Sequence, residues 1–166
     1  MDAIELLKAD HRKVKKLLTE LDATTERALK AREELFTTIK RELTVHEVIE
    51  EEIFYPALKQ HRKAKDVVLE GYEEHHVVDT LMGELSELPY DDETWGAKFT
   101  VMKENIEHHI EEEEGDMFKK ARQVFDDKEL DQLGASMAER KAEAMKDTTL
   151  VGSTGAPAGR SLSFIN

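Results

Sequence analysis

The sequence predicts an all-α protein: an up-down-up-down four-helix bundle with an additional C-terminal helix and a flexible tail. Three observations carry this expectation. Apolar residues recur at alternating three- and four-residue spacing, strand-type alternation is missing, and only three prolines and eight glycines interrupt 166 residues rich in Leu, Glu, Lys and Ala. Short connections between long helices make sequential neighbours antiparallel. A chain of this length can bury a core unaided, and its lack of cysteine excludes disulfides, thiolate metal ligands and a cysteine nucleophile.

The first helix, near 3 to 22, carries an inward seam of Ile4, Leu7, His11, Val14, Leu18 and Leu21. After "DATTERALK" the second, near 31 to 59, runs Phe36, Ile39, Leu43, His46, Glu50, Ile53 and Ala57, with a kink expected at Pro56. Beyond "KQHRKAK" the third, near 66 to 87, runs Val68, Gly71, His75, Val78, Met82 and Leu85. The connection "LPYDDET" holds Pro89 and ends at Thr94, the expected N-cap of a fourth helix near 94 to 123, whose seam is Phe99, Met102, Ile106, His109, Glu113 and Asp116. These helices make a bundle over 1 to 122. A fifth helix, near 127 to 146 within a C-terminal segment 123 to 146, shows an apolar stripe of Leu130, Leu133, Met137 and Ala144 that Lys141 interrupts. Small and turn residues then predict a flexible tail over 147 to 166, ending in Phe164 and Ile165, which could dock on a surface.

Charge and hydropathy narrow the function. With 37 acidic residues against 24 Lys and Arg, a net charge of −13 argues against nucleic acid. The N-terminal "MDAIELLKADHRKVKKLL" is charged every few residues rather than carrying a signal peptide's apolar core, and no run approaches the roughly 20 apolar residues of a membrane span. A soluble cytoplasmic protein without membrane contact is expected.

The seam carries the chemistry. Each bundle helix contributes one seam histidine, two add a seam glutamate one turn later, and no Lys or Arg occupies these bundle seam positions. An ionised carboxylate buried without compensation costs several kcal/mol, so the seam demands cations. His46 with Glu50, and His109 with Glu113, are four apart and can present a nitrogen and an oxygen to one region. Helices two and four match at an offset of 63, pairing Phe36, Ile39, Leu43, His46 and Glu50 with Phe99, Met102, Ile106, His109 and Glu113; helices one and three match at 64, with Asp10 and His11 against Glu74 and His75. Two matching half-sites suit two metal ions better than one. Imidazole with carboxylate suits iron, and also zinc, copper, nickel or manganese. Glu47, Glu51, Glu111 and Glu112 are expected on solvated faces, His61, His76 and His108 at the surface, and Met82, Met102 and Met117 in the core.

The motifs "DHRKV", "HEVIEEEIFYP", "EHHVV" and "HHIEEEEGDMF", in that order, resemble the hemerythrin-like HHE cation-binding domain over about residues 1 to 122. The resemblance implies a non-haem centre of two iron ions, oxo- or hydroxo-bridged, inside a four-helix bundle. Such a centre binds or reacts with O2, H2O2 or NO in sensing, storage or detoxification. It implies His11, His46, Glu50, His75, His109 and Glu113 as metal ligands, with the glutamates as bridges; the seam selects the same six. There are departures. Asp79 stands where oxygen-carrying hemerythrins have a further histidine, and their last carboxylate is five residues beyond its histidine, a spacing met by Glu114. Glu113 keeps the seam and mirrors Glu50. With one imidazole fewer, a metal keeps an open position or recruits Asp79 or Tyr55, whose phenol either turns inward beside Pro56 or serves packing. An imidazole-rich shell bears less negative charge than a carboxylate-rich one, which favours the ferrous state and reversible binding. The alternatives are a diiron peroxide-decomposing enzyme and a non-redox metal-binding signalling module, whose fifth helix and tail address an unknown protein partner.

Overall fold

The structure, a computed structural model, describes residues 1–151. Helix α1 (Ala3–Asp22) starts at Asp2, whose carboxylate accepts the Glu5 N–H while the Glu5 carboxylate accepts the Asp2 N–H, a reciprocal cap. Helix α2 (Leu29–Ile49) runs through a π turn (Glu50–Phe54) into α3 (Tyr55–Lys59). Helix α4 (Lys65–Glu87) follows, then α5 (Trp95–Glu112), which passes through a second π turn (Glu113–Met117) into α6 (Phe118–Val124). Asp126 and Glu129 repeat the reciprocal cap at the start of α7 (Asp127–Lys146), and α8 (Thr148–Val151) is one further turn.

Two local expectations change. Thr94 precedes α5, but its hydroxyl donates to Asp92 Oδ1 at 2.5 Å instead of capping the helix. The second and fourth predicted helices are each broken by a π turn that begins at the seam glutamate. There the N–H of Tyr55 donates to the Glu50 carbonyl, and that of Phe118 to the Glu113 carbonyl. Each extra residue advances the seam by one. Ile53 and Ala57 are therefore only half-buried and Asp116 is exposed, while Phe54, Leu58, Met117 and Ala121 take the buried places. Pro56 follows the first π turn, where its missing N–H is tolerated.

Helix α1 packs on α2, α4 on α5, and α1 on α5, which closes the bundle. One apolar cluster, with Leu7, Phe54, Leu58 and Phe118, fills the end beyond the π turns. The other, with Leu18, Phe36, Trp95 and Phe99, fills the opposite end. The polar seam residues form a layer between them. Arg32 closes the second end by donating to the Tyr90 carbonyl at 2.7 Å beneath the Trp95 ring.

Helix α7 lies outside the bundle against α1, α2 and the first π turn. It explains why α1 also buries Ala3, Leu6 and Asp10, residues off its axial seam. Gly134 lets the two backbones approach: a Cβ there would lie 2.6 Å from the Met1 carbonyl oxygen and 2.8 Å from Ala3 N. Leu130, Met137 and Ala144 are buried as predicted, Leu133 is half-buried, and Lys141 forms an ion pair with Asp10. Within the expected tail, Leu150 of α8 packs with Val45, Val48 and Ala144; Phe164 and Ile165 lie outside the described residues. Among the described residues, no helix is long and apolar enough to cross a membrane.

Candidate metal centre

The six seam residues converge. His11, His46, Glu50 and Glu113 form one cluster of potential ligand atoms, and Glu50, His75, His109 and Glu113 another, with the donor atoms of each within 4.8 Å of one another. Both glutamates belong to both clusters. Glu50 directs one oxygen to His46 Nε2 (3.2 Å) and the other to His75 Nε2 (3.1 Å). Glu113 reaches His11 Nε2 at 3.1 Å with one oxygen and His109 Nε2 at 3.4 Å with the other. The π turns serve this placement, since each starts at the glutamate and lets it point along the axis while its helix continues. All six residues are buried.

The imidazoles are oriented from behind. His11 Nδ1 donates to Glu114 (2.8 Å), His46 Nδ1 to Asp10 (3.3 Å), His75 Nδ1 to Glu51 (2.9 Å) and His109 Nδ1 to Glu74 (3.0 Å). A carboxylate that takes the Nδ1 proton fixes the tautomer whose Nε2 lone pair faces inward, the arrangement typical of metal-binding histidines. Despite the close approaches, His11 Nε2, both Glu50 oxygens and Glu113 Oε2 make no hydrogen bond and are fully buried. Buried polar atoms are ordinarily satisfied, so a converging set of orphaned nitrogen and oxygen atoms fits one or more cations. Tyr55 is fully buried, donates to Glu113 Oε1 at 2.5 Å and stacks on His75, so its phenol both packs and faces the second cluster. Asp79 is half-exposed and belongs to neither cluster. A cavity of about 20 Å³ is lined by the four histidines, Glu47, Val14, Leu43, Val78, Ile106 and Ile110.

The profile of the hemerythrin HHE cation binding domain matches residues 2–121. The chain belongs to that family. Uncharacterised proteins of Mycobacterium tuberculosis and Mycobacterium bovis are 32% identical over 144 residues, covering 84% of this chain and 85% of theirs. The crystal structure of a hemerythrin HHE cation-binding domain-containing protein from Mycobacterium kansasii superposes with a TM-score of 0.77 at 29% identity, covering 87% of this chain and 88% of that one. The family profile ends before α7, whereas the matches to these relatives cover too much of the chain to leave that helix out.

Electrostatics in this HHE domain follow from packing acids around imidazoles. Burial works against charge on His46, but Glu50 and Asp10 outweigh it and lift the imidazole to about 10. Burial likewise opposes charge on His75 and His109, yet Glu47, Glu50 and Glu51 raise the first well above its ordinary value, and Glu113 and Glu74 raise the second. Burial would raise Glu50 and Glu113. The facing imidazoles reverse this and hold both below the usual carboxylate range. Tyr55 is pushed well above a normal phenol by burial and by the charges of Glu113 and Glu50. Asp10 is held low because His46 and Lys141 overcome its burial.

Sequence reasoning missed the orienting shell. Glu51 was expected in solvent but meets His75, and Glu47, also expected there, is buried within reach of Glu51 and His75. Glu114 competes on spacing for a ligand position but instead holds His11 from behind. The signal was in the repeat: Asp10 and Glu74 both precede a seam histidine, and Glu51 and Glu114 both follow a seam glutamate. His76 and His108 are exposed, and His61 is half-buried against Phe125.

Proposed function

We propose that this HHE domain holds two iron ions, one in each cluster, and binds O2 or a related small ligand such as peroxide or nitric oxide. His11 and His46 would hold one ion, His75 and His109 the other, with Glu50 and Glu113 spanning both. The carrying observation is that each glutamate offers one oxygen to each cluster, the disposition of a bridging carboxylate. When bound, the iron pair supplies the electrons exchanged with the ligand, chemistry that belongs to the metal. The chain supplies a size-limited setting. The cavity of about 20 Å³ beside the histidines admits a water-sized or diatomic molecule and little more.

Metal analysis with an absorption spectrum tests this. About two irons per chain, with oxo-bridge bands in the near ultraviolet, is expected; stoichiometric zinc after growth with iron available overturns it.

A second reading, disproportionation of peroxide to water and dioxygen, is favoured by one observation. An O–H group, that of Tyr55, faces the second cluster, donating to Glu113 Oε1 with its oxygen 3.4 Å from His75 Nε2. Oxygen release from peroxide by the iron-loaded protein, reduced in Tyr55→Phe with iron content intact, separates this reading from reversible binding.

A further inference from the structure

The two halves of the site match in their ligand set and in the carboxylate behind each imidazole, and differ in two places: the ring stacked on His75 is the phenol of Tyr55 whereas the one on His11 is Phe118, and the backing acids Asp10 and Glu74 are held differently. His11 backed by Glu114 corresponds to His75 backed by Glu51, and His46 backed by Asp10 corresponds to His109 backed by Glu74, as the sequence repeat requires. The environments of Asp10 and Glu74 diverge. Glu74 is half-exposed beside His108 and Glu112, open to water. Asp10 is buried, and its other oxygen accepts from Lys141 of α7. Helix α7 has no counterpart in the repeat and lies beyond residues 2–121, which the family profile matches. Its hold on the first π turn is independent of Asp10, through the paired bonds from Arg140 to Glu52 at 2.6 and 3.1 Å.

We infer that Lys141 is a positioning residue for the metal centre: by holding Asp10 against His46 it makes the His11–His46 end unequal to the His75–His109 end. This rests on the iron-binding reading above. A carboxylate that accepts Nδ1–H pushes electron density into its imidazole and strengthens Nε2 as a donor. A cation on the far oxygen draws that density back. His46 is thereby the weaker donor of the pseudo-equivalent pair His46 and His109, and the ion it holds is the more easily reduced. The unexpected cation in the apolar stripe of α7 thus acquires a role.

The test uses the full iron-loaded chain and compares wild type, Lys141→Met, Lys141→Arg, Arg140→Met and Asp10→Asn by iron content and by the two one-electron reduction potentials. Wild type holding fewer than two irons would remove the iron reading and not this coupling. Given two irons, Lys141→Met is expected to lower one potential more than the other with iron retained, Lys141→Arg to restore it, and Arg140→Met to leave both unchanged. Asp10→Asn, which deletes the charge that Lys141 offsets, shifts the same potential upward; should Lys141→Met fail to fold, Lys141→Gln, which keeps a donor to Asp10 without the charge, is expected to lower that potential, and an unmoved potential overturns the inference. Unmoved potentials in Lys141→Met, or equal shifts in Lys141→Met and Arg140→Met, overturn the inference.

Discussion

Gly71→Ala tests the link between packing and site. A Cβ at Gly71 would lie 2.8 Å from Tyr55 Oη, 3.1 Å from Cζ and 3.2 Å from Cε2. In a helix interior this substitution gains about 0.8–1 kcal/mol when the space is free. Here it is not, because the Tyr55 ring lies between His75, stacked at 5.3 Å, and Tyr72, edge-on at 5.1 Å, with its hydroxyl tied to Glu113 at 2.5 Å. Overpacking of this kind costs about 1–3 kcal/mol, so a net loss of about 1 kcal/mol is expected. The phenol causes the closest contact, so in a Tyr55→Phe background the same substitution becomes neutral or slightly stabilising, a coupling of about 1 kcal/mol. Urea denaturation of the metal-free protein and its three variants, with unchanged m-values, measures the cycle. A Gly71→Ala variant that gains the full helical increment with Tyr55 present, or one that loses equally in both backgrounds, would refute the reasoning.

Three further outcomes follow from the geometry. Glu50→Ala removes an oxygen from both clusters and is expected to reduce metal content towards zero, whereas His75→Ala touches one cluster and leaves about one ion per chain, as metal analysis will show. His46 sits at about 10 in the metal-free fold against 6.5 for a free imidazole, so its contribution to stability is complete below pH 6.5 and disappears as the pH rises through 10. Metal must displace that proton, so loading at pH 8 should release at least one proton, measurable by calorimetry in buffers of different ionisation enthalpy, and affinity should climb over the window in which metal-free stability falls. Gly134→Ala places a methyl 2.6 Å from a backbone oxygen that cannot turn aside; a loss of about 1–3 kcal/mol in denaturant midpoint is expected from the forced separation of α7 and α1.

The bundle was legible because its seam is strictly periodic in α1 and α4, whose six seam positions are all buried, and in α2 and α5 up to the seam glutamates. The family was legible because imidazoles and carboxylates recur on that seam in four ordered motifs, and the seam also names the six residues that gather. Periodicity fails at the π turns. A one-residue insertion leaves no mark in composition, and only the packing of Phe54 and Met117 in place of Ile53 and Asp116 reveals it. The outer carboxylates were hidden for another reason: Glu51 and Glu114 stand in runs of glutamate where one residue cannot be told from a solvated neighbour. Lys141 looked like a flaw in an apolar stripe because its partner, Asp10, is 131 residues away.

These outer acids alter what an imidazole-rich shell means. Two inward carboxylates and four imidazoles suggest a weakly negative site that favours the reduced metal. The structure adds Asp10, Glu51, Glu74 and Glu114, each hydrogen-bonded to one imidazole, so negative charge has been moved one bond outward rather than removed. Without metal, protons answer that charge, which is why His46, His75 and His109 are raised although burial opposes it. The same field attracts cations, and in the function proposed above the Nε2 atoms would be the contacting donors. The site is therefore more electron-rich than its ligand list implies, and least so at His46, where Lys141 offsets the carboxylate behind the ring.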